Sequence, residues 1–190
     1  MADRTVPGRL PAGATAEGDG IVVGHGPVRV DAFIDFLCPF CRRFELSSGQ
    51  PLARLAGDGQ ISLIYHPMNF LDAASTTNYS TRAAAASGCA ADQGRFVEYA
   101  HALFVSQPPE GGPGLSDAEL ADTGRAAGLA DAAFPACVAG APYLDWPPYV
   151  TVRAAALGVQ ATPTVLVEGT VARPETQSIA AAIAKAGGGR

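Results

Sequence analysis

Two thiols three residues apart, in Cys38-Pro39-Phe40-Cys41, are the groups of this chain best suited to chemistry. At that spacing both cysteines lie on one face of a helical turn, and their Cβ atoms can approach to disulfide distance. Pro39 suits the first helical position, where its missing N–H costs nothing. Cys38 then sits at the positive end of the helix dipole, beside free N–H groups, and both favour the thiolate. Cys38 is expected to be the exposed attacking thiolate, or the sulfur attacked by a substrate thiol. Cys41 is expected to be the more buried thiol that resolves a mixed disulfide. Phe40 offers the sulfur neither a cation nor a hydrogen bond, which predicts a less oxidising pair than a histidine there would give. A Cys-x-x-Cys can also be half of a zinc site, but that needs a second close pair of ligands. Cys89, Cys137, His25, His66 and His101 are scattered, so no metal or organic cofactor is expected.

Thr162-Pro163 is the second signal. It stands just before a short apolar run at 164–167, where Pro is a candidate for the cis form or for a trans residue opening a strand. Four cysteines permit three pairings. A bridge between Cys38 and Cys41 would leave Cys89 and Cys137 for each other, the alternative being two buried free thiols. That second bridge would close a loop of about 50 residues, which the loop-entropy model values at ~4 kcal/mol. A structural disulfide points to an oxidising compartment.

These residues need elements to position them. The chain has 190 residues, enough for one sizeable domain, with 48% apolar and 16% charged residues. Its formal net charge is −5 and it has no basic run, which argues against nucleic acid as a partner. No stretch approaches the roughly 18 apolar residues of a membrane span. Residues 1–19 lack periodicity and predict a flexible arm. Strands are expected at 21–24, 28–36, 60–66 and 164–167, with a further one near Val171. The cysteine motif follows the second strand and opens a helix over 42–56, bent near Gly49-Gln50-Pro51 because Pro51 cannot donate its backbone hydrogen bond. Residues 73–157 read as five helices, with Ser116 and Glu119 as a capping box. A last helix covers 175–186. The order implies an α/β sheet with an all-helical domain, 73–157, inserted between the second and third core strands of a unit made of 20–72 and 158–190.

The two motifs together resemble those of the DsbA-like thiol:disulfide oxidoreductases of thioredoxin-like fold, over about residues 20–187. Asp35-Phe36-Leu37-Cys38-Pro39-Phe40-Cys41 with Arg42-Arg43-Phe44 resembles the family's strand-to-helix active site. Thr162-Pro163-Thr164 is similar to its cis-Pro loop. The segment from Tyr79 through Cys89, with Cys137 later, is similar to the actinobacterial branch. That resemblance implies a Cys89–Cys137 disulfide in the helical domain and reoxidation by a vitamin-K-epoxide-reductase-like membrane protein. It also implies that Phe40, Thr162 and Pro163 position a protein substrate bearing free thiols, and that the protein acts as a monomer. An oxidase introducing disulfides is expected, with a reductase or isomerase as the rival within this chemistry. The rival outside it is a non-catalytic module holding peptides in an apolar groove around Phe40 and Trp146. Two residues depart from the pattern. Phe40 stands where many members have His, and Ala32 stands where many have a buried acid six residues before the first cysteine. Residues 1–20 lack the apolar core of an export signal. An extracytoplasmic place is expected, its signal or anchor lying outside this sequence, with the cytoplasm as the alternative.

The acid that Ala32 replaces assists proton transfer in many relatives, and Asp35 or Asp31 is the candidate substitute here. On the simpler reading Asp31 is a solvated strand residue and Asp35 a local structural group. His66 is expected to be a structural residue at a strand end, with a proton-shuttle role as the alternative. Trp146-Pro147-Pro148-Tyr149 reads as packing at an interhelical turn, with an apolar substrate groove as the alternative.

Overall fold

The computed structural model describes residues 5–188. Its centre is three strands rich in Val, Ile and Phe: β2 (Val28–Ile34), β3 (Ile61–Pro67) and β4 (Thr164–Val167). The flanking strands β1 (Ile21–Val23) and β5 (Thr170–Ala172) complete the order β1-β3-β2-β4-β5. β2 runs parallel to β3 and antiparallel to β4, so Ala32 faces Tyr65 on one side and Val165 on the other. A parallel neighbour requires a crossover. Here it is the helical segment α1 (Pro39–Phe44) and α2 (Gln50–Gly57). Between β3 and β4 the chain forms α3 (Tyr79–Asp92), α4 (Phe96–Val105), α5 (Asp117–Ala126), α6 (Ala133–Gly140) and α7 (Trp146–Ala156). The last helix, α8 (Thr176–Gly187), returns to the sheet. This is the expected α/β thioredoxin-like fold with a helical insertion.

Small residues hold the insertion close. On α3, Ala83, Ala84 and Ala90 are fully buried, and a Cβ on Gly88 would stand 2.9 Å from the Tyr143 ring. Neighbouring helices pack directly on that backbone, and any added volume would push them apart. Cys89 on α3 is bonded to Cys137 on α6. Ser116 and Glu119 form the capping box that starts α5.

Three features differ from the sequence expectation. The crossover helix begins at Pro39 and carries a π turn, Glu45–Gly49, in place of a simple bend. The wider turn seats the Glu45 side chain against Gly49, where a Cβ would stand 2.3 Å from the carboxyl carbon. Residues 9–19 of the expected flexible arm are packed on the domain; residues 1–4 lie outside the described residues. Trp146 Nε1 donates to the Gly18 carbonyl at 2.8 Å, the Tyr149 hydroxyl to the Glu17 carbonyl at 2.6 Å, and Asp92 accepts from the Ala12 N–H at 3.0 Å. Buried Trp and Tyr need partners for their polar tips, and this segment supplies them. Trp146 is therefore core, 0% exposed, and lines no groove. Asp31 is buried rather than solvated. It accepts two hydrogen bonds from Arg29, at 2.7 and 2.8 Å, and pairs with His66 Nε2 at 2.8 Å. His66 Nδ1 lies 2.6 Å from the Asp19 carbonyl, and its ring stacks on Phe33, so it is a structural residue.

Among the described residues, no helix is long and apolar enough to cross a membrane. Replacing both Cys89 and Cys137 by alanine should lower unfolding stability by ~2–4 kcal/mol, because the open chain regains the entropy of its 48-residue loop. Urea unfolding of the variant beside the parent protein measures the loss.

Candidate active site

β2 ends at Ile34, and Asp35, Phe36 and Leu37 turn the chain into α1. Cys38 is the N-cap of that helix. Its backbone is extended, and its carbonyl accepts from the Arg42 N–H at 3.1 Å. Pro39 takes the first helical position. Cys38 and Cys41 are both free thiols, on one turn, at the carboxyl end of a central strand. Cys41 is fully buried, as expected. Cys38 is more covered than expected, at 4% exposed, because the loop before β4 comes down on it. The Thr162 carbonyl lies 3.3 Å from Cys38 Sγ. The Thr162–Pro163 peptide is cis.

The two sulfurs are electrostatically unequal. The Cys38 pKa is pulled down to about 6, chiefly because the Cys41 thiol donates to its sulfur. The Thr162 hydroxyl and the N–H groups of Cys41 and Phe40 add to this, and burial works against it. Cys41 is pushed up by burial and by its bond to the Cys38 sulfur. One sulfur is thus ionised at neutral pH while the other keeps its proton, the state expected of an attacking and a resolving cysteine.

Several residues hold this turn, and of these the sequence reading passed over Gln107 and Glu45. Gln107 Nε2, beyond the end of α4, donates to the carbonyls of Phe36 and Cys38, each at 2.9 Å. Arg42 Nε donates to the Phe104 carbonyl at 2.9 Å. Asp35, three residues before Cys38, is 0% exposed and accepts from the Leu37 and Leu71 N–H groups and from the Ser80 hydroxyl. Its own N–H points at Cys41 Sγ, at 3.4 Å. Glu45, four residues after Cys41, is a buried acid whose pKa burial raises. It accepts from the Tyr65 hydroxyl and meets His101 Nδ1 at 3.4 Å. Only Asp35 carried a usable signal, its place in the strand-to-helix motif. The others are set by contacts between distant segments.

Beside the thiols runs a groove of about 860 Å³ lined by Phe40, Arg43, Phe44, Thr162, Pro163 and Thr176, among others. Phe40 is 59% exposed at this groove, with the Arg43 guanidinium 4.5 Å above its ring. Among the described residues there is no cluster of His, Cys, Asp or Glu able to hold a metal.

Fold and paired thiols together define a thioredoxin-like thiol–disulfide oxidoreductase. The thioredoxin family model Thioredoxin_4 matches residues 17–185. Among solved structures, the reduced disulfide bond oxidoreductase DsbG of Mycobacterium tuberculosis is 34% identical. That match covers 88% of this chain and 87% of DsbG, with a TM-score of 0.76. DsbA of the same organism, also reduced, is 33% identical over 88% of this chain and 91% of its own, with a TM-score of 0.74. The serine/threonine-protein kinase PknE of M. tuberculosis is 37% identical over 132 residues, 65% of this chain. The match spans 23% of the kinase's length. The chain belongs to the DsbA-like thiol–disulfide oxidoreductases, in the form that carries an extra disulfide, Cys89–Cys137, in the helical region.

Alkylation of Cys38 in the reduced protein should rise with pH around a midpoint of about 6, with Cys41 protected. Because Cys38 titrates below its unfolded value, the thiolate stabilises the reduced fold fully above that value, near 9, and the contribution is lost as pH falls through about 6. Iodoacetamide labelling rates and thermal unfolding of the reduced protein across that range, beside Cys38→Ala, test both statements.

Proposed function

We propose that this chain is an oxidase that introduces disulfides into other proteins outside the cytoplasm, with Cys38 and Cys41 as its redox pair. The observation that carries this reading is the stabilised Cys38 thiolate beside a protonated Cys41. Whatever stabilises the reduced form makes the disulfide form a better oxidant, because two electrons then have a lower-energy destination. A substrate thiolate attacks Cys38 Sγ, the Cys38–Cys41 bond breaks, and Cys41 leaves as the thiolate that takes up a proton. The second substrate thiolate then attacks the mixed disulfide and expels the Cys38 thiolate, now held by its donors. Thr162 and Pro163 border the groove next to that sulfur and are assigned the placing of an extended substrate segment, with Phe40 contacting it. The Cys89–Cys137 bond supports an oxidising compartment. In that setting a vitamin-K-epoxide-reductase-like membrane protein is the assigned reoxidant.

Phe40 favours a second reading, a reductase or isomerase, since it offers Cys38 no side-chain donor. Parallel assays of insulin reduction and of oxidative refolding of reduced ribonuclease separate the two. For the oxidase, Cys38→Ser should abolish catalysed refolding, and Cys41→Ser should accumulate mixed disulfides with the substrate. Full refolding activity in Cys38→Ser would end this assignment.

A further inference from the structure

The groove beside the cysteine pair carries a cation that nothing in the fold engages electrostatically. One wall is a single face of the crossover helix: Phe40, Arg43, Phe44 and Ser47 follow the i, i+3, i+4, i+7 pattern. The other wall is the start of α8. There the Thr176 hydroxyl donates to the Ser47 carbonyl at 3.2 Å and lies 2.8 Å from the Ser48 hydroxyl. This fastening places α8 at the Ser47 end of the groove, while Thr162 and Pro163 stand at the Cys38 end. Arg43 is exposed, and among the described residues it meets neither a carboxylate nor a hydrogen-bond acceptor. Its guanidinium rests over the Phe40 ring, 4.5 Å from the centroid. That contact holds the cation at the groove and leaves its N–H donors open. The neighbouring Arg42 differs, since the Phe104 carbonyl accepts from it. Glu175, also exposed, lines the α8 wall and pairs with no cation among the described residues. It stands at the α8 N-terminus, with the Ser178 hydroxyl 3.5 Å away, a place that favours a carboxylate.

We propose that Arg43 is a specificity residue that favours protein segments with an acidic side chain two residues from the reacting cysteine. The proposal rests on the reading that a protein thiol reacts at Cys38, and it names the chemistry of the segment that carries that thiol. From Phe40 to Ser47 the helix rises about 10 Å, which matches about three residues of extended chain. In an extended segment, side chains two residues apart share a face. The substrate cysteine faces Cys38 at the start of α1, so the side chain two residues on faces Arg43, about one helical turn along the groove. A carboxylate there can accept two parallel hydrogen bonds from the guanidinium, each strengthened by charge. Three or four residues from the cysteine, the segment reaches the Ser47 end, where Glu175 repels an acid. The groove thus reads where along the segment the negative charge stands. An arginine that only covered the Phe40 ring would make no such distinction.

The test uses short single-cysteine peptides with Asp, Asn or Lys at the second residue on either side of the cysteine. Excess reduced peptide is mixed with the oxidised protein at low salt. The peptide thiolate attacks Cys38 Sγ, the Cys38–Cys41 bond breaks and Cys41 takes up a proton; mass spectrometry after acid quenching follows the loss of oxidised protein. The reverse reaction, reduced protein with the disulfides of the same peptides, is followed in the same way. A flanking charge also alters the peptide thiol itself. Each rate is therefore divided by that of the same peptide with uncharged 2-hydroxyethyl disulfide or, in reverse, of its disulfide with 2-mercaptoethanol. On one side of the cysteine the corrected Asp rate should exceed the Lys rate roughly three- to fivefold, the scale of an exposed ion pair. The ratio should shrink at about 0.5 M salt, and moving Asp to the fourth residue should remove the gain. Arg43→Gln should bring the ratio close to one, Arg43→Lys should keep part of it, and Arg43→Glu should reverse it. Each ratio is taken within one variant, so a general loss of activity cancels. A ratio near one in the parent protein, or an undiminished ratio in Arg43→Gln, would overturn the proposal. Reaction in the reducing direction alone would end the oxidase assignment and leave the ratio to decide this one. No reaction of any peptide in either direction would end both.

Discussion

The hydrogen bond from the Cys41 thiol to the Cys38 sulfur is the interaction around which this molecule is arranged. It makes two chemically identical side chains inequivalent, one charged and one neutral, within a single helical turn. That inequality needs a helix that starts at Cys38, because only there do backbone N–H groups lack partners and point at the sulfur. The start is fixed by three things: the end of β2, the extended backbone of Cys38, and Pro39 in the one helical position that tolerates it. The sheet beneath contributes rigidity. β2 is paired on both sides, so the strand that delivers the turn cannot shift without breaking two ladders.

The helical insertion is more than a cover. Gln107 fixes the carbonyls of Phe36 and Cys38, Phe104 offers its carbonyl to Arg42, and Ser80 reaches Asp35. On the opposite side the loop before β4 brings Thr162 to the same sulfur. The redox turn is thus held between two parts of the chain far apart in sequence. The α3–α6 disulfide and the Ala-rich face of α3 keep the insertion in one arrangement, so those clamps keep their geometry.

What could be read in the sequence was whatever depends on local rules. The strand ending at a Cys-Pro-x-Cys helix start, the Ser116 capping box and the run of five helices follow from spacing, proline geometry and composition. The α/β order followed from the alternation of apolar runs with helical ones. Contacts between distant segments stayed hidden. Nothing about Gln107 marks it as a partner of Phe36, 71 residues away. Asp31 read as solvated because a strand acid is usually exposed, and its burial depends on Arg29 and His66 converging on it. The π turn was masked by Gly49 and Pro51, which read as a bend. In that turn the Glu45 carboxyl occupies the space that a Cβ on Gly49 would take.

The packed segment before the first strand alters where this domain begins as a folding unit. A boundary drawn at Ile21, the first residue of the sheet, would strip acceptors from Trp146, Tyr149 and His66 together. It would leave the polar tips of three inward-facing rings to find water or go unbonded, at ~1–3 kcal/mol for each one that fails. The unit therefore extends at least to Arg9, which reaches the Tyr143 hydroxyl and Asp92. The stretch that looks most like a linker is a hem sewn along the edge where the insertion meets the sheet.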